Sequence, residues 1–252
     1  MYKRQVKDLV LDQDIDILAL TETWLCPGNI NDVEIRTLCP DRYRFLHVPR
    51  GHSRGRGVSL LFKDTLQINS HITDTFTTFE LMDIHFRSLQ SIRVLLIYRP
   101  PDNTLCVLFL EELLVLLEQI MAEFTGHLLI SGDFNLHVDD PCSTYANRFN
   151  EILESCNLKQ HVTGATHAKG HTLDLVISKK DNPLITEIKI FNPVISDHCA
   201  VHCNLRIQKL HFTKKKLYYR KLRSLDIESF CEDNLTSPLL QDQAVELNAL
   251  VD

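Results

Sequence analysis

Apolar runs of strand length alternate with longer helical stretches along most of the chain, and the period of the pattern separates the two. Asp16-Ile-Leu-Ala-Leu20 reads as a short buried strand, preceded by a polar, helix-compatible stretch from Tyr2 to Leu11. A strand over Val58–Phe62 follows a loop in which Gly51, Gly55 and Gly57 bracket Arg50, Arg54 and Arg56. Further strands are expected at Gln67–Ile72, Phe79–Phe86 and Ser91–Tyr98, the last stopped by Pro100-Pro101. Leu105–Phe124 has helical length, with Leu110, Leu113, Leu114 and Leu117 on one face. A strand at His127–Ser131 is expected to break at Gly132, and Tyr145–Cys156 reads as helix. Leu173–Ser178, Ile185–Phe191 and His198–Leu205 complete the pattern as strands.

Composition narrows the classes. The chain has 252 residues, 44% hydrophobic and 24% charged, which excludes collagen-like, low-complexity and wholly disordered readings. A net charge of −6 excludes a polycation built to coat nucleic acid. The 8 cysteines include no CxxC pair, and Lys3, Arg4, Lys7 and Asp8 interrupt any hydrophobic leader. The expectation is a reduced intracellular protein that is not secreted. Leu105–Met121, the most apolar run, carries Glu111, Glu112 and Glu118 and is too short to span a bilayer. Past Gln208 the pattern stops: residues 209–223 hold seven basic side chains and no acid, residues 224–252 seven acids and no Lys or Arg. This predicts a folded domain over 1–207 and a basic, then acidic appendage over 208–252. The basic run reads as a solvated linker or as an arm that contacts phosphates.

Acidic and amide residues stand repeatedly where apolar strands end. Glu22 follows Leu18-Ala-Leu-Thr, and Asp133 and Asn135 follow Leu128-Leu-Ile-Ser-Gly. Asp174 lies inside Thr172-Leu-Asp-Leu-Val-Ile177, and Ser196-Asp197-His198 opens the last strand. A carboxylate in an apolar run is costly unless it binds a metal or a hydrogen-bond partner. Taken singly, each fits a blander role: a turn, an edge charge, a helix cap. Together they supply the parts for metal-assisted phosphoester hydrolysis. Hard Mg²⁺ takes carboxylate oxygens and keeps several waters, so Glu22 and Asp197 suffice as ligands. Asp133 can orient or deprotonate water, and Asn135 can donate to a phosphoryl oxygen. His198 can bond the phosphate if Asp174 holds its ring. Zinc fits poorly: in His198-Cys199-x-x-His202-Cys203, alternation on a strand sends the histidines and cysteines to opposite faces.

Thr21-Glu-Thr-Trp-Leu25, Tyr98-Arg-Pro-Pro101, Gly132-Asp-Phe-Asn-Leu-His137, His171-Thr-Leu-Asp-Leu175 and Ser196-Asp-His198 occur in the order found in the endonuclease/exonuclease/phosphatase superfamily, which the chain resembles over about residues 5–207. Gln160-His-Val-Thr-Gly-Ala-Thr-His167 is similar to the apurinic-endonuclease-like domain of non-LTR (LINE-type) retrotransposons. The resemblance implies an α/β four-layer sandwich, two packed mixed β-sheets flanked by helices. It implies Glu22 and Asp197 as Mg²⁺ (or Mn²⁺) ligands, Asp133 as the water-activating carboxylate and Asn135 as a phosphate contact. Tyr98 would touch the scissile phosphate, and His198 and Asp174 would form a pair. Thr166, Ser196, Arg50, Arg54 and Arg56 are expected to contact phosphate or DNA.

The family begins with a strand carrying an Asn ligand, one helix upstream of the Glu strand. Here Met1 falls within that connecting helix, so the expectation is a sandwich lacking its first strand, as in an N-terminally truncated frame. Three readings stand open: a Mg²⁺-dependent DNA endonuclease of the kind whose nick primes reverse transcription, a catalytically inactive remnant or nucleic-acid-binding module, and a small-phosphoester phosphatase. The retroelement wording of the motifs disfavours the last.

Overall fold

The computed structural model of the chain describes residues 2–25, 32–48, 57–73, 76–86, 91–181, 184–191, 195–207 and 226–237. By backbone contacts it divides into two units, residues 1–210 and 211–252.

The first unit is built on a six-stranded mixed sheet. β4 (Ile68–Thr73), β5 (Glu80–Phe86), β6 (Ile92–Tyr98), β7 (His127–Asp133), β8 (Leu158–Gln160) and β9 (Asp174–Lys179) lie in the order β4-β5-β6-β7-β9-β8. Only β6 and β7 run parallel. Their crossover carries α3 (Cys106–Glu123), and α4 (Thr144–Ser155) joins β7 to β8. Both faces of this sheet are covered, which is why its strands read as continuous apolar runs. Alternation splits each run between two cores. Leu95 and Ile97 of β6, Leu128 and Ile130 of β7, and Leu175 and Ile177 of β9 meet Phe109, Leu113 and Leu117 of α3 and Phe149 of α4. Val94, Leu96, Leu129 and Val176 face the other way.

That second face packs on an antiparallel layer in two pieces. β1 (Ile17–Leu20), β2 (Tyr43–Val48) and β3 (Val58–Lys63) form a sheet in the order β1-β3-β2, and β10 (Ile185–Phe191) pairs with β11 (Ala200–Leu205). Val58, Leu60 and Phe62 of β3 enter the shared core with Ile188, Ile190 and Val201 of the hairpin beside them. α1 (Tyr2–Asp12) and α2 (Asp32–Leu38) pack on each other with Val6 and Val10 buried. Tyr43 donates its hydroxyl to Ile15 O at 2.9 Å, tying the α1–β1 turn to β2. The architecture is the expected α/β sandwich with helices flanking paired sheets. Among the described residues, no helix is long and apolar enough to cross a membrane.

Three expectations change. The strand at His127 does not break at Gly132 but runs through it to Asp133. Gly132 adopts φ +137°, and a Cβ there would sit 1.8 Å from Ile97 O, so glycine serves a close approach to β6 within the sheet. The last strand starts at Ala200 rather than His198, which instead makes a single bridge to His167. The acidic segment of the second unit contains a helix, α5 (Ile227–Leu235), capped by the Asp226 carboxylate and exposing Ile227, Phe230 and Leu235. Because no side chain fits at Gly132 without displacing β6, Gly132→Ala is expected to cost about 3 kcal/mol or more. Urea unfolding checks this; an unchanged midpoint would refute it.

Candidate active site

The sheet register does most of the assembly. Glu80, Tyr98, Asp133 and Asp174 are successive cross-strand partners on β5, β6, β7 and β9, a row of polar residues at one end of the large sheet. Glu22 arrives from the other layer, two residues beyond β1, and the Tyr98 hydroxyl donates to its carboxylate. Asp197 and His198 come from the segment before β11, laced to the 166–168 strand-like strip through Ala168 N to Asp197 O at 2.8 Å and the His167–His198 bridge. The outcome is one cleft of about 570 Å³ lined by Thr21, Glu22, Trp24, Asp133, Ile195, Ser196, Asp197 and His198. Elements from both sheets contribute, so the site exists only when the two layers are packed.

Each acid has a holder. Asp133, 2% exposed, accepts from Asn135 N at 3.0 Å and Asn135 Nδ2 at 2.9 Å. The same amide donates to Arg99 O, and Asn135 itself is left-handed at φ +46°. Arg99 is a fully buried guanidinium that donates to Phe134 O, Asn135 O, Asp102 O and Cys106 Sγ and lies over the Phe109 ring. It fixes the loop that carries Asp133 and Asn135. Asp174 Oδ2 lies 2.9 Å from His198 Nδ1. Glu80 accepts from Gly57 N at 2.8 Å, and Gly57 O accepts from Thr23 N, so the far end of the polar row anchors the residue after Glu22.

The electrostatics follow from this crowding. Burial, and then the neighbouring Asp174 carboxylate, push Asp133 up to about 7. The hydrogen bond to Asp174, reinforced by the surrounding carboxylates, raises His198 to about 9, so it is a cation at neutral pH. Asp197 is held below the usual carboxylate range by its own backbone N–H and by His167. Ligand atoms of Asp133, Asp174 and His198 lie within 4.8 Å of one another, as do those of His167, Asp197 and His198. Hard oxygen donors surplus to one imidazolium fit a small divalent cation. Glu22 and Asp197 border the open part of the cleft, where an ion keeping several waters has room.

The chain's fold and middle segment match known proteins. Residues 92–202 match the family model described as Endonuclease-reverse transcriptase. The structure superposes on the endonuclease domain of TRAS1, a telomere-specific non-LTR retrotransposon, with a TM-score of 0.61 and 14% identity, over 82% of this chain and 94% of that one. This is an endonuclease/exonuclease/phosphatase fold. The sequence match through its middle, over residues 92–202, agrees with that fold. An AP endonuclease from Leishmania major matches at TM-score 0.60 and 15% identity, over 79% of this chain and 80% of that one. A mannosyl-6-phosphatase from Bacteroides thetaiotaomicron matches at 0.57 and 12%, over 81% and 90%. No curated protein sequence matches significantly. A fold shared by nucleases and a phosphatase leaves the substrate to be argued from the site.

Of the residues singled out in the superfamily motifs, Glu22, Asp133, Ser196, Asp197 and His198 line the cleft, and Tyr98, Asn135 and Asp174 touch that lining. Thr166 is placed differently: it is wholly buried, and its hydroxyl accepts from Leu173 N at 2.9 Å and Asp174 N at 3.0 Å. It shapes the start of β9. The Ser196 hydroxyl accepts from His198 N at 3.0 Å. Arg50, Arg54 and Arg56 lie outside the described residues.

Sequence reasoning missed Arg99, Glu80 and His167. His167 receives Lys169 N–H on Nδ1 at 3.1 Å, which leaves the proton on Nε2 to donate to Asp197 Oδ2 at 3.3 Å. With both ring nitrogens so used, it holds the carboxylate. The spacing Thr166-His167…Asp174 carried that signal, but only the antiparallel bridge reveals the partner.

Asp133 is an acid whose folded-state pKa is raised. Folding therefore carries no cost from its charge below about pH 4 and the full cost above about pH 7. In EDTA, Asp133→Asn is expected to be more stable than the parent at pH 8, by about 2 kcal/mol or more. At pH 4 it should be no more stable, having given up one hydrogen-bond acceptor. Thermal melts at the two pH values measure this, and a variant less stable than the parent at pH 8 would contradict the crowding.

Proposed function

We propose that the chain is a Mg²⁺-dependent DNA endonuclease of the retrotransposon target-nicking type, hydrolysing a phosphodiester to leave 3′-hydroxyl and 5′-phosphate ends. The observation that carries the reading is the meeting of Glu22, Asp133, Asp197 and the charged His198 in one cleft, with Asp174 behind the imidazole. The match of residues 92–202 to Endonuclease-reverse transcriptase and the likeness to a retrotransposon endonuclease domain support DNA over a small phosphoester.

Glu22 and Asp197 would hold the ion, which supplies positive charge against the phosphoryl oxygens. Tyr98 keeps the Glu22 carboxylate in place through its hydroxyl. Asp133, poised near neutrality, takes a proton from the attacking water as the oxygen–phosphorus bond forms and the phosphorus–O3′ bond breaks, the departing O3′ taking its proton from solvent. His198, charged through Asp174, donates to a non-bridging oxygen where negative charge grows in the transition state. Asn135 holds Asp133 in line and can offer its amide to phosphate by releasing one of its present bonds.

Supercoiled plasmid tests the reading. The expected result is conversion to open circles with Mg²⁺ and none with EDTA, and a loss of at least 100-fold in Asp133→Ala/His198→Ala. Nicking no faster than that double variant would defeat it. Salt-sensitive DNA binding without nicking would instead identify an inactive module of the same fold.

A further inference from the structure

Trp24 is the one tryptophan of the chain and is 64% exposed, yet it lines the cleft beside Glu22. Its backbone is left-handed at φ +56°, as is that of Glu22 at φ +52°. Glycine or asparagine occupies such a conformation with little strain, whereas a bulky aromatic there is an outlier. Burial does not compensate, since most of the ring meets solvent. The segment is nevertheless pinned: Thr23 N donates to Gly57 O at 3.2 Å, and a Cβ on Gly57 would fall 2.7 Å from Thr23 Oγ1. The geometry thus holds an indole at the mouth of the cleft at a cost in local conformation. Strain of this kind persists where the surroundings over-determine it and points to a role outside folding.

The rest of the lining says what that role is. Glu22, Asp133 and Asp197 repel phosphate except where His198 or a bound cation offsets them. Trp24 and Ile195 are the large neutral surfaces among the lining residues, and of the two only Trp24 offers a flat π face. A planar, uncharged group attached to the phosphate next to the reacting one is what this surface fits. In a nucleic acid that group is a base.

We propose that Trp24 is a nucleobase-stacking residue: a base from an opened or single-stranded stretch flanking the scissile phosphate lies on the indole, and so registers the strand over Glu22 and His198. This rests on the nucleic-acid reading above and adds to it a contact that reads the base rather than the backbone.

Because the chain has a single tryptophan, its emission reports on this residue alone. The 252-residue chain in EDTA is titrated with a fluorescently end-labelled single-stranded 12-mer, and with a 12-mer of the same phosphates carrying abasic spacers throughout. Label anisotropy gives affinity and indole emission gives contact. The expected result is that the base-bearing strand quenches emission strongly, while the abasic strand binds more weakly and leaves it unchanged. Trp24→Ala should weaken the base-bearing strand by about fivefold to 100-fold and the abasic strand hardly at all. Trp24→Phe, which keeps a ring, should stay within about threefold, with circular dichroism confirming that both variants fold. Binding of the base-bearing strand with unchanged emission and unchanged affinity in Trp24→Ala would overturn the inference while leaving the nucleic-acid reading standing. Equal quenching by the abasic strand would overturn it too, since charge alone would then move the signal. Binding of neither strand, in EDTA or after Mg²⁺ is added, would overturn both.

Discussion

Four carboxylates gathered at one pole of a packed α/β sandwich repel one another, and the surrounding structure is arranged to hold them there. Glu22, Asp133, Asp174 and Asp197 share a neighbourhood in which the charged His198 is the cation among the lining residues. Left to relax, such side chains would turn outward into water. Instead Tyr98 holds Glu22, Asn135 holds Asp133, His198 and Asp174 hold each other, and His167 holds Asp197. Behind this ring, Arg99 and Thr166 satisfy the backbone of the loops that carry the acids. The residual strain appears as the raised proton affinity of Asp133. A fold stabilised only for its own sake would place apolar residues here, so the cost is intelligible as preorganisation for a positive ligand.

The scaffold makes this possible because its strands end together. Cross-strand register brings Glu80, Tyr98, Asp133 and Asp174 into one row without any loop having to search for the arrangement. The second layer then supplies what the row lacks, Glu22 from beyond β1 and Asp197 with His198 from before β11. Sites on rigid strand ends are held more tightly than sites on free loops. The left-handed conformations of Glu22, Trp24 and Asn135 mark where the chain leaves the strands and must turn sharply to keep side chains in the cleft.

Much of this was visible in the amino-acid order. The apolar runs at Val58, Ile92, His127 and Leu173 and the leucine-rich helix after Pro101 are buried on both sides or along one face, so their pattern is strong. Weaker elements escaped: β2 alternates through Tyr43-Arg-Phe-Leu-His-Val48 without a continuous apolar run, α2 is only seven residues long, and β8 three. Gly132 was legible as a special position, but its reason, the approach of Ile97, belongs to a neighbouring strand. The same limit explains the site. Acids at strand ends can be picked out singly, whereas Arg99, Glu80 and His167 gain meaning only from partners brought close by pairing. Thr166 was conspicuous in its motif for a structural reason, the cap it places on β9.

Shared architecture with a retrotransposon endonuclease domain, an AP endonuclease and a mannosyl-6-phosphatase means that the fold alone does not set the substrate. What the fold itself provides is the crowded acidic pole. A carboxyl-carbon NMR titration of Asp133, without and with Mg²⁺, measures that directly. The account predicts a midpoint near 7 in EDTA, falling by more than one unit when the ion is added. A midpoint near 4 under both conditions would contradict it.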